Sequence, residues 1–277
     1  MSEWFLFLPQ VRLDVGDIVE RAKVAEAGGF DGIAFIDHLE APGATHQSIW
    51  EAMTVGTWVA ACTERLRIGH LVLCDAFRHP AVLAKQAVTL SEASGGRFEL
   101  GLGSGSWPHE FERFGIETGD AAARVGRLGE TLQRLRQYWG DDERGQVPGP
   151  SHSIPLVLGG TGKRMMELVR THADWWNIPS HQLDRLPALL PTVGAARVSL
   201  QQMVGFVGRE ADRAAVTERS TRLFGHLGDG LVCGDAAELT EHFAGLSAQG
   251  VERFYVWFAD FAAPQTISEF AETVINS

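Results

Sequence analysis

The chain has 277 residues, 45% of them hydrophobic and 31 of them glycine, which supplies a continuous core and many turns and excludes a disordered or fibrous chain. A formal charge of -11, with no long basic run, excludes a groove that neutralises nucleic-acid phosphates. Three cysteines, Cys62, Cys74 and Cys233, stand too far apart for a zinc or disulfide framework and suit a reducing cytoplasm.

In chain order, short apolar runs alternate with segments of helical period, the mark of a parallel sheet with crossover helices. The segment Met1 to Gln10 carries Glu3, has no basic start, and is too short in apolar residues for a signal or membrane span. Within it Trp4 to Leu8 reads as the first strand. Asp14 suits an N-cap, Ile18, Ala22 and Ala25 share one face, and Gly28 and Gly29 stop that helix. Gly32 to Ile36 is the second strand, and a helix is expected between Trp50 and Cys62. Leu66 to Leu73 is long enough for a buried third strand. Pro80 opens a helix striped by Leu83, Ala87 and Leu90 and closed by Gly95 and Gly96. Phe98 to Gly101 is the fourth strand.

After an excursion through residues 104 to 125, Leu128, Leu132 and Leu135 mark a helix, and Gly145 to Pro150 is loop. Ile154 to Leu158 reads as the fifth strand, Lys163 to Thr171 as helix and Asp174 to Ile178 as the sixth strand. Leu200 to Val207 is the seventh, preceded by an irregular helix containing Pro187 and Pro191. Asp235 and Glu238 form a capping box ahead of Leu239, Phe243 and Leu246. Arg253 to Phe258 is the eighth strand. Eight strands separated by helices predict one α/β domain over residues 1–277, a single (β/α)8 TIM barrel.

Polar and glycine-rich residues follow the ends of five of these strands, on the rim where barrel enzymes build their sites. They are Asp37 and His38, Cys74 to Pro80, Gly103 to His109, Gly159 to Gly162, and Asn177 to His181. A histidine steadied by a neighbouring carboxylate can give or take a proton near neutral pH, which makes His38 and Asp37 the candidate catalytic pair; Asp37 equally suits a loop cap. The run Gly101-Leu102-Gly103-Ser104-Gly105 lets backbone approach a flat ligand or merely turns the chain. It is not a dinucleotide fingerprint, because Ser106 stands where the third glycine belongs. Gly159-Gly160-Thr161-Gly162 is not a Walker loop, but a glycine turn entering a helix can hold a phosphate on free amides. Trp107 could lie against a ligand. His46, His70, His79, His109 and His181 lack metal-ligand spacing, so no metal is expected, and there is no Gly-x-Ser-x-Gly elbow for a serine hydrolase.

Several motifs in order resemble the luciferase-like monooxygenase superfamily, and within it the branch that uses coenzyme F420. They are Gly29-Phe30-Asp31-Gly32 with Asp37-His38, Arg67-Ile68-Gly69 continuing through Phe77 to Lys85, and Ser94-Gly95-Gly96-Arg97-Phe98 with Gly101-Leu102-Gly103. Glu110-Phe111, Phe114-Gly115, Ile154-Pro155, Gly159-Gly160 and Ala173-Asp174 ahead of Trp176-Asn177 complete the set.

The resemblance implies a cofactor ring across the barrel mouth, supported by an irregular peptide near Leu71-Val72. Asp37, His38, Gly103, Ser104, His109 and Asn177 would lie around it. Its phosphate would sit at Gly159, Gly160, Thr161 and Gly162, assisted by His181. The cofactor implied is F420, passing hydride to or from a small organic substrate. The alternative is FMN, in an oxygen-using monooxygenase served by a separate reductase. A further alternative, of another class, is a non-catalytic flavin-binding barrel subunit. A cytoplasmic homodimer is implied by likeness alone. Relatives that oxidise sugar phosphates carry a Glu where this chain has Ser106 and Trp107, which points away from sugar phosphates and toward an apolar or aromatic substrate with His38 as proton donor.

Overall fold

The structure, a computed structural model, describes residues 2–140 and 143–277. Met1, the first residue of the opening segment, lies outside the described residues.

Among the described residues ten strands, all parallel, make one sheet: β1 (Glu3–Phe7), β2 (Gly32–Phe35), β3 (Arg67–His70), β4 (Leu73–Cys74), β5 (Leu100–Gly103), β6 (Leu156–Gly159), β7 (Trp175–Pro179), β8 (Arg197–Phe206), β9 (Leu231–Gly234) and β10 (Arg253–Phe258). Their order is β3-β2-β1-β10-β8-β7-β6-β5-β4, with β9 paired to β8. A parallel bridge from Ile68 to Phe98 joins β3 to the residues entering β5. Since β3 and β4 are successive parts of one crossing, the sheet closes as an eight-membered barrel, as expected from the alternation.

Among the described residues ten α-helices accompany the strands. They are α1 (Val15–Gly28), α2 (Ala52–Cys62), α3 (Pro80–Ala93), α4 (Pro108–Arg113), α5 (Ala121–Tyr138), α6 (Lys163–His172), α7 (Leu186–Leu189), α8 (Arg213–Phe224), α9 (Ala236–Ala248) and α10 (Pro264–Phe270). Among the described residues no helix is long and apolar enough to cross a membrane.

The strand period of two sorts side chains between two apolar layers. In β1 and the residue after it, Leu6 and Leu8 belong to the large outer cluster between strands and helices, whereas Phe5 and Phe7 join Ala34 and Tyr255 inside the barrel. Gly32 makes room for this filling: a Cβ there would come within 2.3 Å of the Phe5 ring.

At the N-terminal end of the barrel the interior is closed by charge. Arg253, wholly buried, bonds Glu99 through both terminal nitrogens and Glu3 through Nε at 2.8 Å. Its guanidinium lies 3.7 Å from the Trp175 ring centroid and 4.2 Å from that of Phe5. Burial alone would lower the Arg253 pKa, but Tyr255, Glu99 and Glu3 raise it, so the charge is retained. Cations stacked on aromatic faces with satisfied hydrogen bonds tolerate such burial.

Among the differences from the expected elements, four bear on the barrel wall. The third strand is not continuous: the Leu71–Val72 peptide is cis, and β3 ends before it while β4 begins after it. The fourth strand runs over Leu100–Gly103, two residues beyond the expected start, because Phe98 contributes only the bridge to Ile68. The proline-containing segment is a chain of short turns, with 3-10 helices at Ser180–Arg185 and Leu190–Thr192 flanking α7, as prolines in a helix interior require. Finally, β9 was not anticipated. It pairs with the second half of β8, from Met203–Leu231 to Phe206–Gly234, beyond Gln201, the last β8 residue paired with β7, at Pro179.

Candidate active site

A cavity of about 560 Å³ opens at the C-terminal ends of the strands, a size typical of small-molecule sites. One wall is made by β5 passing against the residues around the cis peptide. Side chains cannot be accommodated there: a Cβ on Gly101 would lie 1.7 Å from the His70 carbonyl oxygen, and one on Gly103 2.6 Å from Val72 Cγ2. The Gly-x-Gly spacing therefore follows from strand packing, and Leu71, Val72 and Gly103 line the cavity there.

His38 lines the cavity just beyond β2. Its Nδ1 lies 3.1 Å from Glu110 Oε2, while Glu110 Oε1 accepts the backbone N–H groups of Leu39 at 2.5 Å and Glu40 at 3.2 Å. A carboxylate only accepts, so Nδ1 carries the shared proton and Nε2 is the nitrogen free to exchange one. No partner for Nε2 occurs among the described residues. Trp107 approaches the imidazole edge-on, with centroids 6.1 Å apart. Glu110 sits on α4, where Pro108 opens the helix, and Phe111 on the same helix packs edge-on against Phe77.

This corrects the expected pairing. Asp37 does line the cavity, yet its carboxylate is held by Arg78 at 2.5 and 2.9 Å and by the Cys74 backbone N–H at 2.7 Å. It ties the end of β2 to the segment after β4 and does not steady His38. The carboxylate beside His38 comes from residue 110, which adjacency in sequence could not reveal. The signal available was the pair Glu110-Phe111, which begins seven residues beyond the Gly-x-Gly run.

The opposite end of the cavity is the turn 159–162. Gly160 has φ of +100°, its carbonyl accepts Trp176 Nε1 at 2.9 Å, and Gly162 begins α6 with no side-chain cap. The first amides of α6 are thus not claimed by any cap. Thr161 Oγ1 bonds Gln182 at 2.8 Å and also accepts Arg185. Of the expected residues, Asp37, His38, Leu71, Val72, Gly103, Ser104, Gly159, Gly160, Thr161, Asn177 and His181 all line the cavity. Two do not. His109 is mostly exposed, its Nδ1 3.2 Å from Glu40, because α4 turns it away from the side that presents Glu110. Gly162 is the N-cap of α6, behind the lining turn. Residues that sequence reasoning missed are Glu110, Gln182 and Gln201.

Residues 6–202 match the luciferase-like monooxygenase family. The chain belongs to that family. Among its relatives is the F420-dependent glucose-6-phosphate dehydrogenase of Amycolatopsis mediterranei, 36% identical over 132 residues, which are 46% of this chain and 38% of that enzyme. The chain therefore matches well under half of that relative's length. Among solved structures, an F420-dependent secondary alcohol dehydrogenase in complex with an F420-acetone adduct superposes with a TM-score of 0.82 at 17% identity, over 99% of this chain and 98% of that one. The monooxygenase RslO1 from Streptomyces bottropensis gives 0.77 at 15% identity, over 99% of each chain. At such identities these two likenesses establish the barrel and no more.

Proposed function

We propose that this luciferase-like protein is a coenzyme F420-dependent oxidoreductase that moves a hydride between the deazaflavin and a small organic substrate. The observation that carries the reading is the His38–Glu110 pair at the cavity, opposite a glycine wall and beside an uncapped helix N-terminus. The F420-dependent relatives support the choice of cofactor.

The cavity fits such a group by its own chemistry. Gly103 and the Leu71–Val72 segment offer a surface with no projecting polar side chain for a planar ring, while Asn177 and Gln201 supply amides at its edge. At the other end a Cβ on Gly162 would meet nothing within 4 Å, so a phosphate could approach the first turn of α6 through the Gly159–Gly162 segment. When bound, the deazaflavin supplies hydride transfer.

What remains for the protein is the proton. A carbonyl reduced by hydride needs one proton and an alcohol oxidised by hydride loss releases one, and His38 Nε2 is placed to give or take it. Glu110 holds the ring and its tautomer by accepting from Nδ1. Ser106 and Trp107 offer no acid of their own, so the role falls to His38, and the apolar surface of Leu71, Val72 and Phe111 suits an apolar or aromatic substrate better than a sugar phosphate. A cytoplasmic homodimer belongs to the same proposal by family likeness.

The test is anaerobic turnover with a panel of alcohols and ketones, followed by the visible absorbance of the deazaflavin. The reading expects substrate-dependent change without oxygen, lost in His38→Ala. Product formation only with oxygen and FMN reduced by a separate reductase would replace it with a monooxygenase. Binding of cofactor with no change in its oxidation state under any substrate, unaltered in His38→Ala, would replace it with a non-catalytic barrel.

A further inference from the structure

The segment that carries Glu110 has little of its own to fix its place. α4 is six residues long, and a helix that short is not stable by itself. Its N-cap, Trp107, makes no side-chain hydrogen bond. Gly105 before it, and Gly115 and Gly119 after it, all have positive φ, so the chain changes direction on both sides. The position of Glu110 beside His38 therefore depends on contacts with other elements. One is apolar: Phe111 packs edge-on against Phe77, with ring centroids 5.9 Å apart. The others are polar and face the loop after β2.

The polar contact runs in both directions. Glu110 reaches from α4 to the loop, accepting from His38 Nδ1 and from the N–H groups of Leu39 and Glu40. Glu40 reaches from the loop back to α4, accepting Arg113 Nη1 and standing 3.2 Å from His109 Nδ1. Residues 109 and 113 lie one turn apart and share a helix face, so a single carboxylate grips that face while Glu110 projects beside it. Both carboxylates are buried, at 7% exposure for Glu40 and 1% for Glu110, whereas the Arg113 and His109 side chains are 50% and 66% exposed. Two buried carboxylates in one patch need a balancing cation, and Arg113 supplies it. None of Glu40, His109 and Arg113 lines the cavity, so their effect on chemistry there passes through Glu110.

We propose that Glu40 and Arg113 are positioning residues for proton transfer: their ion pair docks α4 on the loop after β2, so that Glu110 meets His38 and fixes its proton on Nδ1. The inference rests on the reading of His38 as the proton carrier and deepens it. An ion pair between two exposed side chains contributes little, but here one partner is buried. Without Arg113 the Glu40 carboxylate turns to solvent and α4 loses its hold on the loop. His38 then relaxes toward the Nε2–H form that an unheld neutral histidine prefers, which leaves no lone pair on the nitrogen free to exchange a proton.

The experiment is heteronuclear NMR of the histidine ring nitrogens in isotope-labelled full-length protein without cofactor, at a pH where the His38 ring is neutral; the ring is assigned by its loss in His38→Ala. Wild type should show the Nδ1–H form almost alone. Arg113→Met and Glu40→Gln should each raise the Nε2–H form to about half or more, and the double variant should go no further than either single one. Arg113→Lys should restore the wild-type pattern; circular dichroism checks that each variant is folded. In the anaerobic panel of alcohols and ketones, Arg113→Met should lower kcat about tenfold with KM within about twofold. An unchanged ring pattern in both single variants, or a shifted pattern with kcat unaltered, would overturn the positioning role. The expected ring patterns with no F420 turnover in wild type would leave the docking of α4 standing and overturn the cofactor reading.

Discussion

His38 is an ordinary histidine made specific by what surrounds it. Its neighbour in sequence, Asp37, is claimed by Arg78, and its working partner arrives from α4. Replacing His38 by Ala should lower kcat by about 10²- to 10⁴-fold, the usual contribution of general acid–base catalysis, while cofactor affinity, measured by titration, changes only a few-fold. Glu110→Gln keeps the volume but places an amide where the ring and two backbone N–H groups need an acceptor. A loss of about 10²-fold in kcat with little change in KM is expected, and a pure KM effect would show that Glu110 serves substrate binding instead. The glycine wall makes a stability prediction. Gly101→Ala drives a Cβ into a backbone carbonyl that has nowhere to move, so a loss of roughly 3 kcal/mol or more in denaturant unfolding is expected. Gly162→Ala faces open space but replaces a favoured N-cap residue, so only about 0.5–1 kcal/mol should be lost by the same assay.

At the scale of elements, the interface between β3 and α2 carries a pH dependence. His70 points outward from the barrel, and its Nε2–H donates to the Ala52 carbonyl at 3.1 Å. Burial lowers its pKa to about 4, against the opposing pull of that hydrogen bond and of Asp37. The folded protein thus binds this proton less readily than the unfolded chain. Stability contributed by the neutral ring is intact above about pH 6.5 and falls away as the pH drops toward 4, by roughly 3 kcal/mol in all. Urea midpoints across that range should slope more steeply in wild type than in His70→Phe, and parallel slopes would refute the assignment. The elements themselves were largely legible because strand and helix periods, caps and glycine stops are local signals. The break between β3 and β4 was not, since Leu66 to Leu73 holds no proline to mark it and β5 packs closely against the residues around it. Nor was β9, whose four residues gain a partner only because β8 outruns β7. The rim residues could be read from their position after strands, but the pairing of His38 with Glu110 depends on a helix that folds back 72 residues later.

Across the whole molecule, charge and apolar filling divide the barrel interior. The N-terminal end is sealed by Arg253, Glu3 and Glu99 between Phe5 and Trp175, and only the C-terminal end is left open. Glu3 feels burial, which would raise its pKa, but Arg253 and Arg67 lower it on balance. Arg253→Met would strand Glu99 in the interior and should cost about 3–5 kcal/mol in chemical denaturation; a loss below 1 kcal/mol would mean that the network is dispensable. Closure at one end makes the other the natural place for a planar ligand. The most direct measurement of that idea is a competitive titration of the purified protein with F420 and FMN, read from the absorbance and fluorescence of each. Saturable perturbation of the deazaflavin spectrum is expected, abolished in Gly103→Val and retained in His38→Ala. Saturable binding of FMN alone, or deazaflavin binding indifferent to Gly103→Val in a folded protein, would contradict it.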